Sequence, residues 1–172
     1  MKFSSNRALA LVVISSAFLL AAAGCKKSSS SNSGGSGSMS ATVAGTAWNN
    51  SFATVGVYTS IPGSGGSFEV VGIQIKSADS TAFELLFSSP FALNQPVGTD
   101  SSSLVVAYTD SKSLSSYTAL AGLGNAVLTV TSYDSTGHTI AGTFSGSLYN
   151  TGNYSDSIVV TNGKFNSAFT VQ

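Results

Sequence analysis

Residues 139–149 change character at every second position. Ile140, Gly142, Phe144, Gly146 and Leu148 fall on one side, and Thr139, Thr143, Ser145, Ser147 and Tyr149 on the other. A period of two marks a half-buried β-strand, because successive Cβ atoms point to opposite faces of a pleated chain. Residues 164–171 repeat the pattern, with Phe165, Phe169 and Val171 opposite Lys164, Asn166 and Thr170. From residue 41 onward no stretch shows a 3.6-residue period. Short runs of Val, Ile, Phe, Thr and Tyr are instead separated by Gly, Asn, Asp and Ser.

Further strands are expected at 52–59, 68–76, 81–88, 104–109 and 126–133. The run 158–161 meets Lys164 across Asn162-Gly163, a strong hairpin signal because both residues tolerate positive φ. Pro62-Gly63-Ser64-Gly65-Gly66, Ala78-Asp79-Ser80 and Asp134-Ser135-Thr136-Gly137 supply turns. Short connections favour antiparallel pairing of neighbours. The expected fold is all-β, an antiparallel meander of about eight or nine strands forming a β-sandwich or a small, partly open barrel. Residues 111–124 are expected to hold a loop or a short helical turn. Gly142 and Gly146 sit on the apolar face of the clearest strand, where glycine marks a bend, a bulge or the close approach of another backbone.

The chain begins differently. Lys2 and Arg7 precede an apolar run over 8–23, which ends in Ala21-Ala22-Ala23-Gly24 directly before Cys25. The run is close to the roughly 17–25 apolar residues that span a bilayer, but the small residues at its end and the lone cysteine resemble the lipobox of bacterial lipoproteins. Ala22 stands where that motif most often has Leu. The resemblance implies a signal peptide over 1–24, cut before a lipid-modified Cys25. A thiolate is nucleophilic enough to take a diacylglyceryl group as a thioether. One acyl chain holds a protein only marginally and two or three hold it stably, each buried methylene contributing about 0.8 kcal/mol. Residues 25–40 then read as the lipidated cysteine and a Ser/Gly-rich tether with a typical reach of about 20 Å, and 41–172 as a single β-domain.

Charge fits this division. The chain has seven basic and seven acidic side chains. Lys2, Arg7, Lys26 and Lys27 lie in the leader and tether, so the β-domain sets three lysines against seven carboxylates and is four negative. That excludes nucleic acid as a partner, since binding it requires clustered Lys and Arg. With 34 Ser in the chain, the polar surface is mostly hydroxyl. A single Cys excludes a disulfide framework and a Cys-based zinc site.

Candidate chemistry is sparse. His138 is the only histidine, and it follows Asp134 and Ser135 in a turn. A triad requires its base held between nucleophile and carboxylate in a supported site, which one exposed turn does not supply. Five of the seven carboxylates are turn aspartates. Glu69 and Glu84 lie in strands, Glu69 on the side of Val71 and Ile73, Glu84 opposite Phe83 and Leu85; paired-carboxylate hydrolysis would need two acids facing one cleft. No calcium-loop or dinucleotide fingerprint is present, so no cofactor or metal is expected. Trp48, Tyr58, Tyr108, Tyr117, Tyr133, Tyr149 and Tyr154 combine apolar faces with polar edges suited to a sugar or peptide, although Tyr is common on β-surfaces for packing alone. Trp48 reads most simply as a plug at one end of the core. Asp156-Ser157-Ile158 resembles a short acceptor for O-glycosylation at Ser157.

The opening Val43-Ala44-Gly45-Thr46-Ala47-Trp48 and the ending residues 140–146 and 159–165 resemble a family of small Bacteroidota lipoproteins classed as a domain of unknown function. The resemblance implies compartment and a β-rich fold, and no catalytic residue. The resulting expectation is a non-enzymatic, monomeric lipoprotein of the cell envelope, at the outer membrane. It would be held to the membrane through Cys25 and bind a protein or glycan partner. The alternative is a carrier holding a small hydrophobic ligand in a barrel-like cup.

Overall fold

Eleven strands and no helix form among the described residues of the computed structural model, which are 37–172 apart from 52, 53, 64, 77, 78 and 102. The leader, Cys25 and the tether up to residue 36 lie outside them, as does Phe52. The strands are β1 (Ser38–Val43), β2 (Thr46–Asn49), β3 (Val55–Ile61), β4 (Gly65–Lys76), β5 (Asp79–Ser89), β6 (Pro96–Gly98), β7 (Leu104–Asp110), β8 (Ser115–Ala119), β9 (Asn125–Asp134), β10 (Thr139–Asn150) and β11 (Ser157–Val171). Gly34–Gln172 is a compact unit of its own.

All eleven strands belong to one ladder, β2-β1-β11-β3-β4-β5-β7-β8-β10-β9-β6, and a β10–β11 pairing closes it into a ring. The ring is not a regular barrel. Instead, β10 and β11 each serve two neighbours end to end. Along one edge of β11, β1 pairs with residues 160–166 and β3 with residues 168–171. Along one edge of β10, β9 pairs with residues 139–147 and β8 with Tyr149 and Asn150. The all-β expectation holds, and neighbours in sequence pair antiparallel through β3-β4-β5 and β9-β10-β11. The departure is β3 against β11, which is parallel.

Three local expectations are corrected. Asn162-Gly163 is not a hairpin turn; β11 runs straight through it as one strand. Asn162 does take positive φ (54°), but as the extra residue of a bulge, where Phe144 pairs with Gly163 and Gly146 with Val160. The bulge shifts the alternation by one, so Val160 before it and Phe165 after it both face inward. Residues 115–119 are a strand, β8, rather than a loop or helical turn. It pairs with β7 from Asp110↔Ser115 to Val106↔Ala119 and buries Thr118 and Ala119; its hydroxyl-rich sequence carries little hydrophobic signal. The sheet also starts earlier than residue 41: Ser38, Met39 and Ser40 are in β1, and Met39 is fully buried opposite Phe165.

The inward positions are filled by side chains. Phe68, Val70, Phe83, Leu85, Phe87, Leu104, Val106, Leu128, Ile140, Phe144, Leu148 and Phe165 are all buried, each contributing about 1.5–3 kcal/mol. Gly142 and Gly146 mark close approach, as expected. A Cβ on Gly142 would meet the Thr129 carbonyl and the Phe165 ring, and one on Gly146 the Asn125 carbonyl and Ala126. Trp48, 3% exposed, closes one end of this core against Phe83.

Candidate functional site

The Trp48 end is also where polar groups converge. β1 and β2 are joined by Ala44 and Gly45, both at positive φ (47° and 81°), a two-residue hairpin whose twist matches its strands. That turn carries Trp48 over the end of β5. The indole meets Phe83 edge-on, centroids 4.9 Å apart at 85°, and its N–H donates to Thr81 Oγ1 at 2.7 Å. Tyr108 of β7 lies opposite Phe83 in the ladder, ring centroids 5.0 Å apart, beside the same Thr81. Burial pushes the phenol pKa up, and the neighbouring Asp110 adds to the shift.

Beside this pair lies a cavity of about 330 Å³, lined by Val43, Thr46, Ala47, Trp48, Gln74, Lys76, Asp79, Thr81, Tyr108, Asp110 and Lys112. Two hairpin ends shape it. Ser111 and Ser80 exchange hydrogen bonds, Ser111 Oγ accepting from the Ser80 N–H (2.8 Å) and the Ser111 N–H donating to the Ser80 carbonyl (2.9 Å). Gln74 is held by its Nε2 donating to the Asn49 carbonyl at 2.6 Å. Lys112 Nζ stands 3.7 Å from Asp79 Oδ2 at the exposed rim, a pair that adds little stability in water. The site thus offers an apolar wall with donors and acceptors around it.

Of the seven aromatics named from sequence, the structure brings Trp48 and Tyr108 to this cavity and disperses the rest. Tyr58 and Tyr133 join a ring cluster around Phe68. Tyr117 donates to Asp156 Oδ2 at 2.9 Å, Tyr149 is half-buried in the β8–β10 ladder, and Tyr154 is exposed. Sequence reasoning did not single out Thr81, Gln74 or Lys112 for this site. Thr81 had a usable signal, being on the same side of its strand as Phe83.

Asp134, Ser135 and His138 form no triad. Asp134 Oδ1 accepts from the backbone N–H groups of Thr136 and Gly137, both at 2.8 Å, which holds its pKa below the usual carboxylate value. His138 is exposed, has positive φ (51°) and lies 5.3 Å from the Phe169 ring. Ser157 is exposed at the start of β11, while Asp156 is engaged by Tyr117 and by Asn150 Nδ2. Cys25 lies outside the described residues. Among those residues no group of three or more His, Cys, Asp or Glu is placed to hold a metal ion.

Glu69 and Glu84 both point away from the core. In the β4–β5 register Glu69 pairs with Leu86 and Glu84 with Val71, so the carboxylates are diagonal neighbours on one outer face. Desolvation by burial raises both, Glu84 to about 7, with the Glu69 charge as a second cause for Glu84. A raised acid beside a second acid fits general acid chemistry, but this pair lies on a sheet face rather than beside the aromatic cavity. Comparison of the chain with protein families, curated proteins and solved structures finds no match.

The Glu84 shift has a measurable consequence. Its folded pKa lies above the ordinary 4.5, so the folded protein holds a proton that the unfolded chain has released. Its contribution is therefore full below about pH 4.5 and is lost as pH rises to about 7. Glu84→Gln is expected to remove that slope. At pH 8 the variant should be more stable than wild type by about 1–2 kcal/mol, reduced from the full linkage because solvent reaches part of the carboxylate. Urea midpoints at pH 5 and pH 8 check it; identical pH slopes in the two proteins would refute the assignment.

Proposed function

We propose that this chain is an envelope lipoprotein, anchored at the outer membrane through Cys25, whose β-domain is a non-enzymatic binding module. Its ligand is a hydroxyl-rich molecule, a sugar residue of a glycan, held in the Trp48–Tyr108 cavity. The observation that carries this reading is the cavity itself, where exposed Ala47 and the edges of the buried Val43 and Trp48 meet Gln74, Asp79, Asp110 and the lysines Lys76 and Lys112. Such a mixture suits a ring that has apolar faces and a belt of hydroxyls. The aromatic packing inside the ring of strands supports binding at this end over carriage of a hydrophobic ligand within a cup.

Trp48 is the only tryptophan, so its emission reports on the cavity. Titrating the full chain with a panel of neutral mono- and oligosaccharides should shift Trp48 emission for at least one of them. Tyr108→Ala should weaken that binding about tenfold or more. No shift across the panel would remove the glycan reading. The anchor is tested separately, by intact mass: a diacylglyceryl increment on Cys25, absent in Cys25→Ser. Failure of that test would leave the cavity result standing.

A further inference from the structure

The two outer faces of the ring differ in degree. Strands β9, β10 and β11 follow the usual arrangement of apolar in and polar out, with Thr129, Thr143, Ser145, Ser147, Thr161 and Lys164 on their outer side, interrupted by the exposed Val127 and Val159. Strands β3, β4, β5 and β7 do not follow it. Behind the buried Phe68, Val70, Phe83 and Leu85 lies a second apolar surface of Val55, Val71, Ile73, Leu86 and Val105. It is continuous by register, since Val55 pairs with Val71 and Leu86 with Val105. Val55 is 58% exposed and Ile75 45%. An antiparallel sheet open to water ordinarily carries polar residues on its outer side, so a continuous aliphatic surface there marks a contact face.

Glu69 and Glu84 stand within this surface. Their diagonal positions imply a Cβ separation of about 7 Å. The side chains of the domain's lysines lie elsewhere: Lys76 and Lys112 line the end cavity, and Lys164 is on the opposite sheet. Carboxylates framed by aliphatic side chains and lacking a cation are poorly solvated, and a cation brought to them in a water-poor contact is bound strongly.

We propose that the outer face of β3, β4, β5 and β7 docks an apolar protein segment that places a lysine or arginine against Glu69 and Glu84. Charge selects this occupant. A second copy laid on the same face would set carboxylates against carboxylates. A neutral lipid surface would bury both acids with no countercharge. Docking would also return Glu84 to its ionised form and so release a proton; Glu69 is the titratable group that faces it, while Val71 and Ala107 lie opposite it in the ladder. This surface is independent of both the anchor and the sugar reading.

The test uses the full chain in phosphatidylcholine nanodiscs, with empty nanodiscs as blank. The probes are a 14-residue amphipathic Leu/Lys helical peptide and its Leu/Glu counterpart, followed by calorimetry at pH 7 in two buffers of different ionisation enthalpy. The Leu/Lys peptide should bind above the blank and the Leu/Glu peptide should not. Binding should release up to about half a proton, the share that a group with pKa about 7 still holds at pH 7. The pair E69Q/E84Q should weaken binding about tenfold or more and abolish the proton release. V71T/I73T should weaken it comparably, and D100N/D134N, which removes two acids elsewhere, should leave it unchanged. Circular dichroism and Trp48 emission verify that each variant folds. The proposal is overturned by unchanged affinity in E69Q/E84Q, by an equal loss in D100N/D134N, by equal binding of the Leu/Glu peptide, or by no binding above the blank. A chain dimer that dissociates in V71T/I73T would likewise overturn it, by making a second copy the occupant.

Discussion

Phe68→Ala is expected to lower the free energy of unfolding by about 4 kcal/mol, within the range for truncating a buried phenylalanine that leaves a cavity. Phe68 is 1% exposed, and five rings meet it: Tyr58 at 4.6 Å, Phe169 at 5.2 Å, Phe87 at 5.4 Å, Phe91 at 5.7 Å and Tyr133 at 5.8 Å. These rings come from β3, β11, β5, the segment after β5, and β9. One side chain on β4 therefore ties together strands that are distant in sequence, including the parallel β3–β11 seam. Four of the five neighbours are also held by another ring and so resist moving into the space: Tyr133 stacks on Phe169 at 13°, and Phe91 meets both Phe87 and Tyr133 edge-on. A loss of this size is a large part of the 5–15 kcal/mol that holds a domain folded. It should lower the melting temperature by roughly 10–20 °C. Phe91→Ala, at a half-buried position, should cost about 1–2 kcal/mol. Denaturant unfolding followed by far-ultraviolet circular dichroism and by Trp48 emission checks both values. Since Trp48 lies at the other end of β5, coincident transitions would show that the two ends unfold together. A loss under about 1.5 kcal/mol for Phe68→Ala would mean that the ring cluster does not hold these strands together.

The strands were legible wherever apolar and polar residues alternate. The run 139–149 became β10 with Ile140, Phe144 and Leu148 inward, and Glu69 and Glu84 fall on the sides that alternation assigns them. Two kinds of element escaped. β8, reading Ser-Ser-Tyr-Thr-Ala, is nearly all hydroxyl or small, so what makes it a strand is its two partners, β7 and β10, rather than any pattern of its own. The same holds for the start of β1, where Met39 alone among serines is buried by a strand more than a hundred residues away. For the cavity, sequence named Trp48 and Tyr108 but could not join them. Their meeting depends on a β1–β2 hairpin folding across β5, which is a long-range event. The apolar outer face was partly legible, since Glu69, Val71 and Ile73 were placed on one side of β4. What alternation cannot reveal is that Leu86 and Val105 continue that face on neighbouring strands, because register between strands is set by the whole ladder.

The Asn162-Gly163 pair shows how one local signal serves two folds, and it leads to the sharpest expected contrast. Asn-Gly is favoured in two-residue hairpins because both residues accept positive φ. Here only Asn162 uses it, at 54°, as the inserted residue of a bulge, while Gly163 is buried in the ladder opposite Phe144. Without an extra residue at this point, the inward set Ile158 and Val160 would be followed by Asn162 and Lys164, and Phe165 would face water. The bulge is therefore what lets a fifteen-residue strand keep an apolar inner face. Gly163 is required for a different reason. A Cβ there would run into the Phe144 carbonyl and come within 2.7 Å of its ring, and that ring is fixed against Phe83 at 5.3 Å. Relief would require moving the β10 backbone, which β9 holds on its other edge. Gly163→Val is accordingly expected to destabilise the domain by about 3–5 kcal/mol, beyond ordinary overpacking because backbone is among the obstacles. Asn162→Gly, which keeps the positive φ and adds no atom, should stay within about 1 kcal/mol of wild type. If the pair were a solvent-exposed hairpin turn, neither change would meet a packed ring and Gly163→Val would cost only turn strain. Denaturant midpoints of the two variants therefore decide between a turn and a bulge at this position, and a loss below about 1.5 kcal/mol for Gly163→Val would contradict the bulge.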